Sequence, residues 1–364
     1  MKVAKGIYMG IKETFNPYKK SSAVMDIIVV QLPDGTYHST PFHVHFGILK
    51  LLDSENKFVD IYHLGQPTGI SLRLDKYGEG SFYRVLHRRT VCELPKEIPL
   101  PSKKNENLSS SLGPEGFEGL IDSSNSNDSF FSDPGEYKEP PLNNLTSDEI
   151  MNLRLNPGLN VLDFVVRERP TVYLRGKVYF WPHDSKIIIS DVDGTLTKSD
   201  FMGHLCQLIG KDWTKGGVVY LYNLLVSKGY RIVYLTARSL SQLDTTRNYL
   251  MQVYQDRQTL PDGPLILNHV GMMNALMSEL AKKSRIFKER VLNEIKQLFP
   301  SNPFHSGFGN RLGDALAYAA VGIQKELIFI IDKKGKEKGD HVSIKNFKDP
   351  KLRIDLCFPQ VFGK

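Results

Sequence analysis

The sequence predicts an α/β chain in which an all-β unit precedes a doubly wound parallel sheet. Three observations carry that prediction. After Trp181, strand-sized apolar runs alternate with helical stretches as far as Ile331, the rhythm of a parallel sheet with helices on both faces. Before Trp181, strand patterns follow one another without helical stretches. Between them lies Leu108 to Gly135, rich in Ser, Asn, Gly and Asp, with acids but no Lys or Arg. Such a segment cannot bury enough apolar area to offset its chain entropy, so it reads as a disordered linker.

Met1 to Phe15 fits a helix with Val3, Ile7, Ile11 and Phe15 on one stripe and Ala4 and Tyr8 beside it. Lys2, Lys5, Lys12 and Glu13 lie largely away from that stripe. Gly6 and Gly10 each weaken a free helix by about 1 kcal/mol, so it folds against something: the following domain or a membrane interface. Val24–Leu32, the turn Pro33-Asp34-Gly35 and Thr36–Phe46 read as a hairpin, continued by Phe58–Leu64 and Gly69–Leu74. The unit is a strand or two short of a sandwich. Leu159–Val166 and Thr171–Trp181 complete it across the linker.

The parallel sheet then takes Ile187–Ser190, Arg231–Leu235, Leu265–Leu267, Phe304–Phe308 and Leu327–Ile331 as strands. Helices fall over Phe201–Lys228, Leu240–Gln255, Met272–Leu298 and Leu312–Val321. In such a sheet ligands bind beyond the carboxyl ends of the strands.

Composition narrows the classes of partner. A formal net charge of +7 favours anionic partners without choosing among nucleic acid, acidic lipid and phosphorylated substrate. Three scattered cysteines (Cys92, Cys206, Cys357) give neither a zinc-site spacing nor an even disulfide framework, which reads as a reducing cytosolic compartment. The longest apolar runs are strand-sized and there is no signal-peptide core, so membrane contact is expected to be peripheral. No finger, recognition-helix signature or aromatic-basic ribbon points to nucleic acid.

The chemistry centres on Ile187-Ile188-Ile189-Ser190-Asp191-Val192-Asp193-Gly194-Thr195. A buried strand delivers two carboxylates at spacing two, on one side of the chain, and then turns at a glycine. The first can attack phosphorus, and the second can protonate the leaving alkoxide and then activate water. A calcium loop fails, because Leu196 stands where that loop needs its glycine and Met202 where it needs Glu. A surface turn is at odds with the three isoleucines that run into it.

Thr236 ends the next apolar strand, Lys288 lies on an amphipathic helix, and Gly309-Asn310 precedes Asp314 at spacing four. Asn310 and Asp314 could complete an oxygen cage for a hard divalent ion.

In order and strand position these pieces resemble the four motifs of the haloacid dehalogenase superfamily over about Ser185 to Asp332. The resemblance implies a Rossmann-like catalytic sheet with Asp191 as nucleophile and Asp193 as acid/base. It implies that Thr236 and Lys288 hold and neutralise the transferring group, with Gly194 and Thr195 of the first motif at the substrate. It also implies Mg2+ bound by the Asp191 carboxylate, the Asp193 carbonyl and Asn310, with Asp314 a ligand or the support of one. A single helical stretch separates the first two motifs, leaving little or no room for a cap, so a large or surface-bound substrate suits the site.

The likeness extends further. Asp191-Val-Asp-Gly-Thr-Leu-Thr-Lys-Ser-Asp200, Gly203-His204, Gly210-Lys-Asp-Trp-Thr214 and Phe308-Gly-Asn-Arg311 resemble the lipins, phosphatidic acid phosphatases. So do Asp34-Gly35, Pro41-Phe42-His43-Val44-x-Phe46-Gly47 and Val59-Asp60-Ile61 upstream. This resemblance implies a membrane-binding helix over residues 1–18, an immunoglobulin-like sandwich split between 19–94 and 150–182, a linker over 95–149, and a catalytic domain over 183–364. It implies hydrolysis of phosphatidic acid to diacylglycerol at an anionic membrane surface, in the cytoplasm and peripherally at the endoplasmic reticulum or nuclear membrane. Arg238, Arg311 and the Lys333–Lys338 loop are candidates for contact with the head group or that surface. Two departures stand out: the linker lacks the polybasic tract of animal lipins, and Met202-Gly-His-Leu-Cys206 does not match their co-activator motif. A protein phosphatase with the same aspartate chemistry, or a membrane-binding scaffold without turnover, would share much of this pattern.

Overall fold

Where Val24 to Leu32 reads as one strand, the chain breaks at Met25 and Asp26 into β1 (Ala23–Val24) and β2 (Ile27–Gln31). The computed structural model describes residues 22–47, 57–82, 143–197, 214–269, 280–332 and 341–361, with side chains from 284 onward in the helix that begins at 280. The expected helix at Met1–Phe15, most of the linker, the Lys333–Lys338 loop, the co-activator position and the motif residues at 198–213 lie outside the described residues.

The hairpin continues with β3 (Tyr37–Ser39) and β4 (Val44–His45), then β5 (Phe58–His63), β6 (Gln66–Leu74) and β7 (Glu79–Phe82). The linker was expected to run to residue 149. Instead helix α1 (Ser147–Asn152) already stands there, with Thr146 and Glu149 capping each other's backbone N–H groups. Leu145 is buried, and the Phe42 N–H donates to the Asn143 carbonyl at 2.7 Å, so the segment from 143 onward is built into the β unit.

Strands β8 (Gly158–Val166) and β9 (Tyr173–Pro182) pair across the gap in sequence, β8 antiparallel with β5 and β9 parallel with β2. The result is one nine-stranded sheet in the order β1-β4-β7-β6-β5-β8-β9-β2-β3. It curls on itself. Val24 at one end meets Gly176 on β9, where an added Cβ would stand 2.5 Å from the valine methyl. Inward-facing residues such as Ile27, Val29, Phe42, Leu72, Phe164 and Val178 fill a single core.

The second sheet holds β10 (Ile187–Asp191), β11 (Arg231–Ser239), β14 (Leu265–Asn268), β15 (Phe304–Gly309), β16 (Ile328–Ile331) and β17 (Val342–Ile344). A two-residue hairpin, β12 (Tyr254–Gln255) with β13 (Gln258–Thr259), lies between β11 and β14 in sequence. All six strands of the sheet are parallel, in the order β14-β11-β10-β15-β16-β17. The sixth, β17, was not expected: it is three residues long and carries a serine.

Helix α2 (Val218–Ser227) and α3 (Leu243–Gln252) cover one face, and α4 (Leu280–Lys296) and α5 (Leu312–Ala320) the other. α6 (Ile354–Cys357) closes the chain. Alternation along β10 sends Ile188 to the first face and Ile187 and Ile189 to the second. Each of the three is fully buried, worth roughly 2 kcal/mol in transfer.

Residues 22–82 and 143–361 belong to one compact unit, and the two sheets share a core. Ile28, Val30, Tyr179 and Trp181 turn away from the β unit and pack with Ile187, Val233, Ile266 and Phe287. That is why β2 reads Ile-Ile-Val-Val: both of its faces are covered. Among the described residues no helix is long and apolar enough to cross a membrane.

Candidate active site

The site begins where β10 ends. Asp191 is its last residue and only 3% exposed, flanked by parallel partners on both sides, so its carboxylate emerges at the carboxyl edge inside the protein. The chain then turns sharply through Gly194, whose φ of +78° lies in the region where a side chain is strained. The turn is closed by Leu196 N–H to the Val192 carbonyl at 3.0 Å and by Gly194 N–H to Thr197 Oγ1 at 2.7 Å. It brings Thr195 back to donate to Asp191 Oδ2 at 2.7 Å.

The other oxygen of Asp191 accepts from Lys288 Nζ at 2.6 Å, and the same ammonium donates to Asp314 Oδ1 at 2.6 Å. Asp314 is set by the first turn of α5, where its Oδ2 accepts the N–H groups of Asn310 and Arg311, each at 3.0 Å. Gly309 makes that approach possible, because an added Cβ would stand 2.5 Å from the Asp314 Cβ. Burial, with the charge of Asp314, pushes the Asp191 carboxyl well above the ordinary carboxylate range, against the pull of Lys288. Burial also works against the Lys288 ammonium, but the two carboxylates outweigh it and hold that group charged.

Asp193 lies across the turn with a separate set of donors. Thr236 Oγ1 donates to its Oδ2 at 2.8 Å, and Arg238 grips both oxygens through Nε at 3.0 Å and through Nη2 at 2.5 Å. Thr236 was expected at the transferring group and Arg238 at the substrate or membrane. Here both face the second carboxylate, and Arg238 is 4% exposed.

The structure thus brings together Asp191, Asp193, Thr195, Thr236, Lys288 and Asp314, with Gly194 in the turn and Asn310 half-buried at the end of β15. Arg311 is exposed beside them at the start of α5. The ligands expected from the sequence offer only oxygen: the buried Asp191 and Asp314 carboxylates, the Asn310 amide and the Asp193 carbonyl. Two acids share one ammonium, leaving net negative charge in a buried place. Both facts fit a hard divalent cation.

One residue escaped the sequence reading. Lys215 donates through Nζ to the Gly194 carbonyl, its N–H bonds the Leu196 carbonyl at 2.8 Å, and Thr214 bridges Thr197. The returning chain therefore clamps the turn that follows Asp191. The only sequence signal was position, one residue past the lipin-like Gly210–Thr214.

Residues 142–359 match the family LNS2 (Lipin/Ned1/Smp2), and residues 1–98 match the lipin N-terminal conserved region. "Nuclear elongation and deformation protein 1" of Schizosaccharomyces pombe is 43% identical over 197 residues, 53% of this chain and 30% of that protein. "Phosphatidic acid phosphohydrolase 1" of Saccharomyces cerevisiae is 40% identical over 234 residues, 60% of this chain and 27% of that protein. The chain thus spans less than a third of these relatives. Among solved structures, an HAD-like phosphatase of Mesorhizobium loti aligns at a TM-score of 0.36 and 12% identity, over 56% of this chain and 96% of that one.

Proposed function

The chain belongs to the lipin family, and from that premise we propose that it is a phosphatidate phosphatase, releasing diacylglycerol and phosphate from phosphatidic acid through an aspartyl-phosphate at a membrane surface. The observation that carries this reading is the division of labour between the two carboxylates. Asp191 is buried beside a shared ammonium, and Asp193 is held two residues away by other donors.

A carboxylate oxygen of Asp191 attacks phosphorus, the bond to the glycerol oxygen breaks, and Asp193 supplies the proton that oxygen needs. Asp193 then takes a proton from water as it attacks the acyl phosphate, which frees phosphate and restores Asp191. Lys288 neutralises charge on the equatorial oxygens without moving, because Asp191 and Asp314 already fix it. Asp193 must let go of at least one of its donors to transfer a proton, which gives Thr236 and Arg238 a place at the phosphoryl group in turn. Mg2+ held by the Asp191 carboxylate, the Asp193 carbonyl and Asn310, with Asp314 behind or among them, would supply charge neutralisation and orientation when bound.

The same reading covers the architecture. The curled nine-stranded sheet supports an immunoglobulin-like unit split between 19–94 and a second part beginning near 143, and the parallel sheet supports a catalytic domain over 183–364. The apolar stripe of residues 1–18 supports a membrane helix, hence peripheral work at the cytoplasmic face of the endoplasmic reticulum or nuclear membrane.

The test is phosphate release from phosphatidate in mixed micelles, with Mg2+ and with chelator, for wild type and Asp191→Asn. Metal-dependent release that vanishes in the variant is expected. Release from a phosphopeptide but not from phosphatidate would turn the reading to a protein phosphatase, and release from neither to a scaffold.

A further inference from the structure

Beyond the catalytic aspartates, a second basic feature stands on the same edge of the parallel sheet. Strand β17 is parallel to β16, β15 and β10, so the residues that follow Ile344 emerge on the edge from which Asp191 emerges. β17 is three strands from β10, about 14 Å at 4.8 Å per strand. There an open cavity of about 590 Å³ is lined by Gly216, Lys345, Asn346, Lys348, Asp349, Pro350 and Lys351. Lys345, Lys348 and Lys351 are exposed.

The one acid in the lining, Asp349, bonds backbone and also feels the charges of Lys351 and Lys345, so the three lysines keep a net positive charge there. Asp349 Oδ2 accepts the Lys345 N–H at 2.8 Å and Oδ1 the Lys351 N–H at 3.0 Å, a pairing that shapes the loop. The far wall belongs to the catalytic turn's own clamp. Gly216 follows Lys215, which holds the Gly194 carbonyl, and a Cβ on Gly217 would stand 2.7 Å from the Lys348 side chain.

We infer that this cavity is a second, non-catalytic site for the phosphate of an anionic lipid head group, engaging a neighbour of the substrate in the same surface. Three lysines against one acid, with no aromatic residue in the lining, suit a hydrated phosphate ester, which lysine binds as a point charge. The cavity is wide and open, so it admits a head group presented from a surface. It lies on the sheet edge from which Asp191 emerges, so the inference has one surface serve both sites. Each lysine near an anionic surface adds severalfold to binding, and two headgroup contacts would hold Asp191 toward the surface. The inference rests on the reading of the enzyme as one acting on a lipid surface, and deepens it.

The test uses the full chain and two kinds of vesicle, phosphatidylcholine alone and phosphatidylcholine with 20 mol % phosphatidylinositol. Binding is measured by flotation for wild type, for the triple variant Lys345→Ala/Lys348→Ala/Lys351→Ala, and for the single variants Lys345→Gln and Lys345→Glu. Expected is at least tenfold weaker binding of the triple variant to the anionic vesicles, a graded loss with Glu worse than Gln, and no change on neutral vesicles. Turnover of a short-chain, monomerically dissolved phosphatidate should stay within twofold, which shows that the fold and chemistry are intact. Unchanged binding to anionic vesicles overturns the inference. So does a calorimetric titration in which inorganic phosphate binds wild type but not the triple variant while vesicle binding is equal, since the cavity then serves free phosphate. Failure of wild type to hydrolyse any phosphatidate would sink the enzymatic reading, and the vesicle comparison would still be decided on its own.

Discussion

Among the described residues, two sites that bury a carboxylate against a cation are charged differently. At the junction of the two sheets, Asp26 is 1% exposed; its Oδ1 pairs with Arg247 on α3 and its Oδ2 accepts the Leu265 N–H at 2.9 Å. One acid meets one guanidinium and one backbone donor, and the account closes. At the carboxyl edge of the parallel sheet, Asp191 and Asp314 divide a single ammonium. A buried pair is retained as structure when its charges cancel; where they do not, the protein has left room for another charge to arrive. The first site ties the β unit to the parallel sheet, and the second keeps an uncancelled charge, which the proposed reading assigns to a cation and a phosphoryl group.

The largest effect expected from this difference is on turnover. Lys288→Met removes the charge shared by both acids, and phosphate release should fall by about 10²- to 10³-fold, as when a preorganised donor to a transition state is lost. Without metal the variant should also melt earlier, because two buried carboxylates are left facing each other. A variant with wild-type turnover would place the neutralising charge elsewhere and remove the contrast between the sites. The next effect is on metal. Mg2+ at a hundred times its dissociation constant should stabilise the wild type by about 2.7 kcal/mol, read as a rise in melting temperature. Asp314→Ala should lose that rise and Asp26→Asn should keep it. An equal rise in all three would mean that the ion binds away from the acid pair.

How much of this contrast was legible beforehand depends on distance along the chain. The residues that gather at the carboxyl edge could be read because each ends an apolar strand or opens a helix: Ile187-Ile188-Ile189 before Asp191, Val233-Tyr234-Leu235 before Thr236, Gly309 before the turn to Asp314. Their mutual bonds could not. Nothing local to Arg238 says that it grips Asp193, and nothing near Lys215 points to the Gly194 carbonyl. Asp26 was invisible for the same reason. Its partners lie 221 and 239 positions away, and the surrounding run Val24–Leu32 reads as one strand unless the carboxylate's exit at 26 is known. The β unit's completion across the linker was legible, since neither half shows a long helical pattern in its sequence, whereas β17 and α1 were too short to stand out.

The junction makes the third prediction, on pH. Burial pushes Asp26 up from an ordinary 3.8 to about 6, against the pull of Arg247 and the Leu265 N–H. A carboxyl with a raised pKa gives the folded state an advantage that is complete below pH 3.8 and is lost as pH rises through about 6. The size is roughly 3 kcal/mol. Asp26→Asn has no such proton to lose. The difference in unfolding free energy between wild type and variant should therefore move against the wild type by that amount between pH 4 and pH 7. Parallel stability curves would show that the pair is as comfortable ionised as neutral. The two histidines beside the junction act in the opposite sense. His43 and His269 stack at 3.6 Å, and burial pulls them down to about 3 and about 4, so they cost stability as pH falls below their ordinary 6.5. Comparing variants at each pH, rather than following wild type alone, separates the two.

The smallest effect belongs to the junction's outer pair. Lys177 on β9 donates to Asp262 at 2.8 Å, with side chains 26% and 51% exposed, and Tyr179 Oη adds a bond to the same Oδ1 at 3.1 Å. Solvent screens this pair, and holding the lysine costs rotamer freedom, so a double-mutant cycle with Lys177→Ala and Asp262→Ala should give a coupling below about 1 kcal/mol. The apolar contacts of Ile28, Val30, Tyr179 and Trp181 would then be what keeps the sheets together, with the polar groups fixing register. A coupling above about 2 kcal/mol would reverse that order. The junction would then be an electrostatic joint, sensitive to salt, and its likeness to the catalytic edge would be closer than the balance of charge at Asp26 implies.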